Sequence, residues 1–99
     1  MSDALWFDPA LCLIGGDWIA PSTGETLPLI NPSDGSTLCG IARGAAPDID
    51  AAVHAAQAAL DGDWGAMPAF ERGRILTRLG QLVLDHLDAL AAIEAADVG

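Results

Sequence analysis

The apolar residues in the C-terminal third of the chain recur at helical spacing. Steps of three and four place the following residues on one face of a helix: Leu76, Leu79, Val83, Leu87, Leu90 and Ile93. This stripe is predicted to lie buried against another element. The polar segment 85–88 contains a residue able to cap a second segment, so the pattern predicts either one long amphipathic helix or two helices broken there. Turns are predicted just before the first of these helical residues, at Trp64-Gly65 and Met67-Pro68.

A second amphipathic pattern lies between Pro47 and Asp61. Pro47 suits the first position of a helix, and Asp48 and Asp50 suit its first turn, where the helix dipole favours negative charge. Ala45 offers no side-chain oxygen and is a poor cap. The buried face of this helix is predicted to consist of Ile49, Val53, Ala56 and Leu60.

The N-terminal half alternates short apolar runs with turn signals, which is typical of antiparallel hairpins. Gly15-Gly16 separates two such runs, since both glycines tolerate positive φ. A phosphate-binding loop is the alternative for this pair, but no third glycine and no following helix complete a fingerprint. The turn-rich segment 31–35 separates predicted strands at 26–30 and 36–42, and Pro28 favours an edge strand.

These elements predict an α+β fold of short antiparallel hairpins followed by two or three helices. Residues 1–10 are predicted to be a flexible N-terminal arm, because a short acidic N-terminus is usually mobile. Residues 11–99 are predicted to form one domain or a piece of one.

The acidity of the chain narrows its possible partners. The 99 residues include 4 basic and 14 acidic side chains, for a formal net charge of −10. This charge repels phosphate backbones and anionic lipids, so neither nucleic acid nor a membrane is an expected partner. No apolar run approaches the roughly 20 residues that span a bilayer. The hydrophobic fraction of 52% is high for so short a chain and fits a piece whose apolar faces are covered by further protein; a small self-contained module is the alternative.

No arrangement of residues with the spacing of a catalytic or metal site is present. Cys12 and Cys39 stand far apart and lie in predicted strands, which predicts reduced, inert thiols. His54 and His86 are each alone on a helix, without the spacing of a metalloprotease pair. The N-terminus has neither a basic nor an apolar signal region, and the chain is expected to be cytoplasmic.

Four segments together resemble a known family. They are I-G-G-D-W-I at 14–19, I-N-P-S-D-G-S-T-L at 30–38, and W-G-x-M-P-x-x-E-R-G-R-I-L at 64–76, followed by E-A-A-D-V-G at 94–99. The combination resembles the N-terminal region of NAD(P)-dependent aldehyde dehydrogenases, over Leu11–Gly99. Members of that family typically continue with Lys-Pro after the last motif, so the resemblance implies the start of a much longer enzyme.

The resemblance implies an oxidoreductase that oxidises an aldehyde to a carboxylic acid with NAD or NADP. It also implies that this region belongs to the α/β cofactor-binding domain, that the remainder of the subunit is its partner, and that the enzyme is a homo-oligomer. The family's catalytic and dinucleotide-binding motifs do not occur here, so the 99-residue chain alone is predicted to be inactive and to self-associate. The alternative is a non-enzymatic acidic interaction module or a truncated pseudo-enzyme.

The resemblance also implies a possible monovalent cation site. Its ligands would be the backbone carbonyl of Ile30 and the side chain of Asp97, and oxygen ligands suit a hard cation. Some relatives carry a hydroxyl residue where this chain has Leu29. The alternative is that Asp97 is simply part of a polar helix end.

Overall fold

A computed structural model describes residues 5–99, and these form two small sheets followed by helices. The strands are β1 (Cys12–Ile14), β2 (Asp17–Ile19), β3 (Thr26–Ile30) and β4 (Thr37–Ala42). The helices are α1 (Ala46–Asp61), α2 (Asp63–Ala66), α3 (Ala69–Asp85) and α4 (Leu87–Val98). The predicted α+β class is confirmed. Residues 1–4 of the predicted N-terminal arm lie outside the described part.

Both sheets are two-stranded antiparallel hairpins. Leu13 lies opposite Trp18 in β1–β2, and the turn between them uses Gly15 and Gly16 at φ of 62° and 84°. Because only glycine adopts such angles freely, the hairpin interpretation of this pair is confirmed. Pro28 lies opposite Gly40 in β3–β4. In a two-stranded sheet every strand is an edge, so the missing N–H of Pro28 is tolerated.

An aromatic cluster holds the start of the described chain against both hairpins. Phe7 stacks on Trp18 with ring centroids 5.4 Å apart, and Trp6 meets Phe7 edge-to-face at the same separation. The Pro9 carbonyl accepts a hydrogen bond of 2.8 Å from the backbone N–H of Ala42. These contacts anchor residues 6–9, whereas the mobility of residues 1–10 stays a prediction.

The helical region is divided at two places. His86, at φ −110° and ψ 23°, ends α3 and precedes α4, which confirms the two-helix interpretation of the C-terminal pattern. The turn predicted at Trp64-Gly65 is instead the one-turn helix α2, closed by a 3.1 Å hydrogen bond from the Ala66 N–H to the Gly62 carbonyl. Four residues suffice for one helical turn but are too few for periodicity to reveal it.

The prediction of buried helix faces is wrong for this chain. Ile49, Val53 and Leu60 on α1 are each about three-fifths exposed, and Leu79 on α3 is 55% exposed. Within residues 5–99 no hydrophobic side chain is fully buried. The physical reason is that two hairpins of three to six residues per strand offer too little area to cover helices of 12 to 17 residues.

The molecule is consequently a thin slab with extents of 48 × 34 × 18 Å. Its radius of gyration is 16.5 Å, whereas a compact domain of this length has about 13 Å. It exposes 7005 Å², whereas a folded monomer of this size exposes about 5,300 Å². The difference, roughly 1,700 Å², is surface that a compact fold would have buried.

Arg72 organises the connection between α2 and α3. Its Nη1 donates to the carbonyls of Trp64, Gly65 and Met67 at 3.3, 3.4 and 2.9 Å. These carbonyls belong to the end of α2 and the residue that follows, where helix carbonyls lack partners in the helix itself. All three bonds come from one nitrogen, which the rigid planar guanidinium holds in place, whereas the ammonium of lysine sits on a flexible stem and loses more conformational freedom for each bond that it forms.

Replacing Arg72 with lysine is therefore expected to destabilise the α2–α3 connection. The expected loss is about 1 kcal/mol, since neutral carbonyls keep some access to water here. A thermal melt followed by circular dichroism measures it. Arg74→Lys, at an exposed position on the same helix, is the control and should leave the melt unchanged. Equal melts for the two variants would contradict the assigned role of Arg72.

Candidate functional site

A buried carboxylate joins the turn after the first hairpin to the start of α1. Asp48 is only 8% exposed. Its Oδ1 and Oδ2 accept bonds from the Ser22 backbone N–H at 2.9 and 3.2 Å, and its Oδ2 accepts the Ser22 hydroxyl at 2.9 Å. Oδ2 also accepts the Ala45 N–H at 2.8 Å. Residues 26 positions apart in sequence are thereby fixed together.

Its environment favours the charged form of Asp48. The Ala45 N–H is the main cause that lowers the pKa of this carboxyl, and the Ser22 hydroxyl and N–H add to it, while burial opposes them. The Ala45–Asp48 bond is the reciprocal half of a capping box; the other half is missing because alanine has no acceptor. Sequence reasoning placed Asp48 in the first turn but missed its bond to Ser22. The sequence signal for its bond to the Ala45 N–H was an acidic residue three positions after an alanine that cannot cap the helix itself.

The two predicted cation ligands lie in neighbouring segments. Ile30 ends β3 beside a bulge, and Asp97 is an exposed residue in the last turn of α4. A Cβ placed on Gly99 would lie 3.0 Å from Pro32 Cγ and 3.1 Å from Ser33 Oγ, so the end of α4 reaches the turn that follows Ile30. The structure therefore brings together the segments carrying the two residues. In residues 5–99 there is no cluster of three or more His, Cys, Asp or Glu side chains that could hold a metal.

An open apolar groove lies where α3 meets α4. Its volume is about 540 Å³. It is lined by Trp6, Leu79, Leu82, Val83, His86 and Leu90. Three residues of the predicted apolar stripe line the groove, and Trp6 covers the groove from one side only.

The remaining candidate residues have ordinary surroundings. Cys12 and Cys39 are free and half-buried. His54 is exposed, and its Nδ1 lies 2.8 Å from the Asp50 carbonyl oxygen one helical turn earlier. His86 sits at the helix boundary, as predicted. No helix in the described part of the chain is long and apolar enough to cross a membrane.

Comparison with known proteins shows the family to which the chain is similar. The aldehyde dehydrogenase family matches residues 18–99. The chain belongs to this family. The chain is 44% identical over 92 residues to the human mitochondrial 10-formyltetrahydrofolate dehydrogenase. The aligned residues are 92% of this chain and 10% of that protein. The chain is 43% identical over 88 residues to the mitochondrial benzaldehyde dehydrogenase of Antirrhinum majus, covering 88% of this chain and 16% of that protein.

The fold agrees with that membership. The NAD⁺ complex of an aldehyde dehydrogenase from Bacillus cereus superposes with a TM-score of 0.89 at 31% identity, over 97% of this chain and 20% of that one. The chain thus spans between a tenth and a fifth of the length of these aldehyde dehydrogenase relatives. The resemblance of the sequence to the N-terminal region of the family is confirmed.

Proposed function

We propose that the chain is the N-terminal segment of an oxidoreductase that oxidises an aldehyde to a carboxylic acid with NAD or NADP. The family match over residues 18–99 carries this proposal. It is supported by a relative named benzaldehyde dehydrogenase and by a neighbour solved as an NAD⁺ complex. The chain contributes no nucleophile and no dinucleotide-binding loop, so the chemistry belongs to the remainder of the subunit.

The role of this segment in such an enzyme is to pack against the rest of the cofactor-binding domain to which it belongs. The roughly 1,700 Å² of surplus surface is about twice what one partner contributes to a standard protein interface. Exposed apolar residues on both long helices supply much of it, among them Val53 and Leu79 at 62% and 55% exposure. Surface of this extent and polarity is typical of obligate packing.

We further propose that Ile30 and Asp97 contribute to a monovalent cation site in the complete subunit. A backbone carbonyl and a carboxylate are hard oxygen donors, and the end of α4 at Gly99 lies beside the Pro32–Ser33 turn that follows Ile30. Two donors do not complete a coordination shell, so further ligands would come from the longer subunit. In that subunit Asp97→Asn should weaken binding of Na⁺ or K⁺, measured by titration calorimetry, and Asp88→Asn should not.

A cytoplasmic location and homo-oligomeric assembly complete the proposal. The two free thiols fit a reducing compartment. Cell fractionation and light scattering of the longer subunit test the two statements. Recovery in a secreted fraction, or a monomer at every concentration, would contradict them.

The purified 99-residue chain is expected not to oxidise aldehydes. The chain would be mixed with NAD or NADP and a panel of aldehydes that includes benzaldehyde, and the absorbance of reduced nicotinamide followed. The expected rate equals that of the reagents alone. Turnover that disappears on replacing Cys12 or Cys39 would show that the chain carries its own nucleophile.

The nucleotides after the Gly99 codon decide between the enzyme segment and the non-enzymatic module. A frame that continues with Lys-Pro and an apolar strand supports the enzyme. A stop codon at that point would favour the acidic interaction module, whose binding surface would be the groove between α3 and α4.

A further inference from the structure

Two aspartates of the chain are followed directly by glycine, in the pairs Asp34-Gly35 and Asp61-Gly62. An aspartate before glycine is the sequence in which a protein backbone most readily rearranges without an enzyme, because the glycine has no Cβ to hinder attack by its nitrogen on the aspartyl side chain. The first pair lies in the turn between β3 and β4, and the second lies at the end of α1. Each pair is therefore a candidate site of spontaneous modification.

The rearrangement is a cyclisation followed by hydrolysis. At the first pair, the Gly35 nitrogen forms a bond to Asp34 Cγ, the bond from Cγ to the carboxyl hydroxyl breaks, and the hydroxyl leaves with the amide proton as water. Water then opens the resulting succinimide ring. Attack at the side-chain carbonyl restores aspartate, whereas attack at the main-chain carbonyl gives isoaspartate, in which the backbone runs through Cγ. The cycle needs no reactant except water.

Packing within the described residues does not protect the first pair. Asp34, Gly35 and Ser36 are all exposed. No atom lies within 4 Å of a Cβ built on Gly35, and its φ of 76° is an angle that glycine adopts freely. Any protection of this pair must therefore come from the hydrogen bonds of the turn.

The turn engages both of the groups that would react. Asp34 Oδ1 accepts the Ser36 N–H at 2.9 Å and the Ser36 hydroxyl at 2.7 Å. These bonds lower the pKa of the Asp34 carboxyl, and the hydroxyl is the larger cause. The Gly35 N–H donates to the Asn31 carbonyl at 2.8 Å. Cyclisation requires a neutral carboxyl with a hydroxyl able to leave, a side chain free to rotate, and a free N–H, and the turn opposes each of these requirements.

We propose that the Ser36 hydroxyl protects the Asp34-Gly35 peptide bond from conversion to isoaspartate. Ser36 acts through Asp34, which it holds in place as a carboxylate. An isoaspartate at position 34 would add a methylene to the backbone of the turn that connects β3 to β4 and that lies beside the end of α4 at Gly99. The inference concerns the chemistry of the chain itself and is independent of the enzymatic function proposed above.

Incubation of the purified chain at neutral pH in water labelled with heavy oxygen tests the proposal. Each hydrolysis of the succinimide adds a labelled oxygen, and mass-spectrometric fragmentation of the digested chain locates the label and distinguishes aspartate from isoaspartate. Ser36→Ala should label position 34 roughly fivefold faster than the wild-type chain, which is the factor that corresponds to one typical hydrogen bond. Ser36→Thr keeps a hydroxyl at this position and should retain the wild-type rate.

Two controls separate lost protection from a general loosening of the fold. Ser33→Ala removes another hydroxyl of the same turn but leaves both Ser36 donors in place, so position 34 should react at the wild-type rate. Asp61 accepts its bond from a different donor, Gln57 Nε2 at 3.1 Å, and its rate should be the same in every variant. A Ser36→Ala rate equal to that of the wild type, equal acceleration at positions 34 and 61, or a Ser36→Thr rate as high as that of Ser36→Ala would each overturn the proposal.

Discussion

Gly65→Ala is expected to open the corner between α1 and α2 and to produce the largest loss of stability of any glycine-to-alanine substitution in this chain. A Cβ at this position falls on the carbonyl oxygen of Leu60 and lies 2.7 Å from its carbonyl carbon. Both atoms belong to the backbone, so neither can rotate away. We expect destabilisation of about 3 kcal/mol or more, and a melting temperature lowered by at least about 10 °C.

The matched control for this prediction is Gly73→Ala on α3. No atom lies within 4 Å of a Cβ built on Gly73, so the substitution adds helix propensity without a clash and should stabilise the chain by up to about 1 kcal/mol. Circular dichroism melts of both variants should show a lower melting temperature for Gly65→Ala and a higher one for Gly73→Ala. A Gly65→Ala melt equal to or above that of the wild-type chain would show that the corner relaxes freely.

Local signals in the sequence predicted the elements well, because turns and periodicity depend on neighbouring residues. Gly15-Gly16 marked the first hairpin, and the strand predicted at 26–30 has the bounds of β3. The polar segment 85–88 marked the break now seen at His86. The one-turn helix at Trp64-Gly65 was missed because one turn has no repeat from which a period can be read.

Burial was not predictable in the same way, because it depends on what lies opposite a face. Spacing identified the correct stripe on α3, but nothing local to Leu79 says whether its partner surface is in this chain. The contact between Ser22 and Asp48 is likewise tertiary, joining a turn to a helix across 26 residues. Family resemblance supplied Ile30 and Asp97, whereas the structure shows only that their segments adjoin.

Asp48→Ala is expected to be the most destabilising replacement of any acidic side chain in the described chain. It leaves the part-buried N–H groups of Ser22 and Ala45 without their acceptor, and a donor that loses its partner where water has limited access costs more than an average hydrogen bond contributes. The turn at 21–24 should separate from the start of α1. Asp50→Ala, an exposed carboxylate on the same helix, is the control and should have a much smaller effect on the melting temperature.

Lowering the pH should remove the stabilisation that the Asp48 carboxylate gives to the fold. Its pKa is lowered in the folded chain from the ordinary value of 3.8, chiefly by the Ala45 N–H. The carboxylate therefore stabilises the fold fully above that ordinary value, and its contribution is lost as the pH falls through the lower folded-state pKa. The melting-temperature difference between wild type and Asp48→Asn should accordingly be constant near neutral pH and shrink in strong acid. Asp34 also has a lowered pKa, from its bonds to Ser36, but both proteins retain it, so it cancels in the difference. A gap between the two melts that persists unchanged in strong acid would mean that the carboxylate charge of Asp48 does not stabilise this junction.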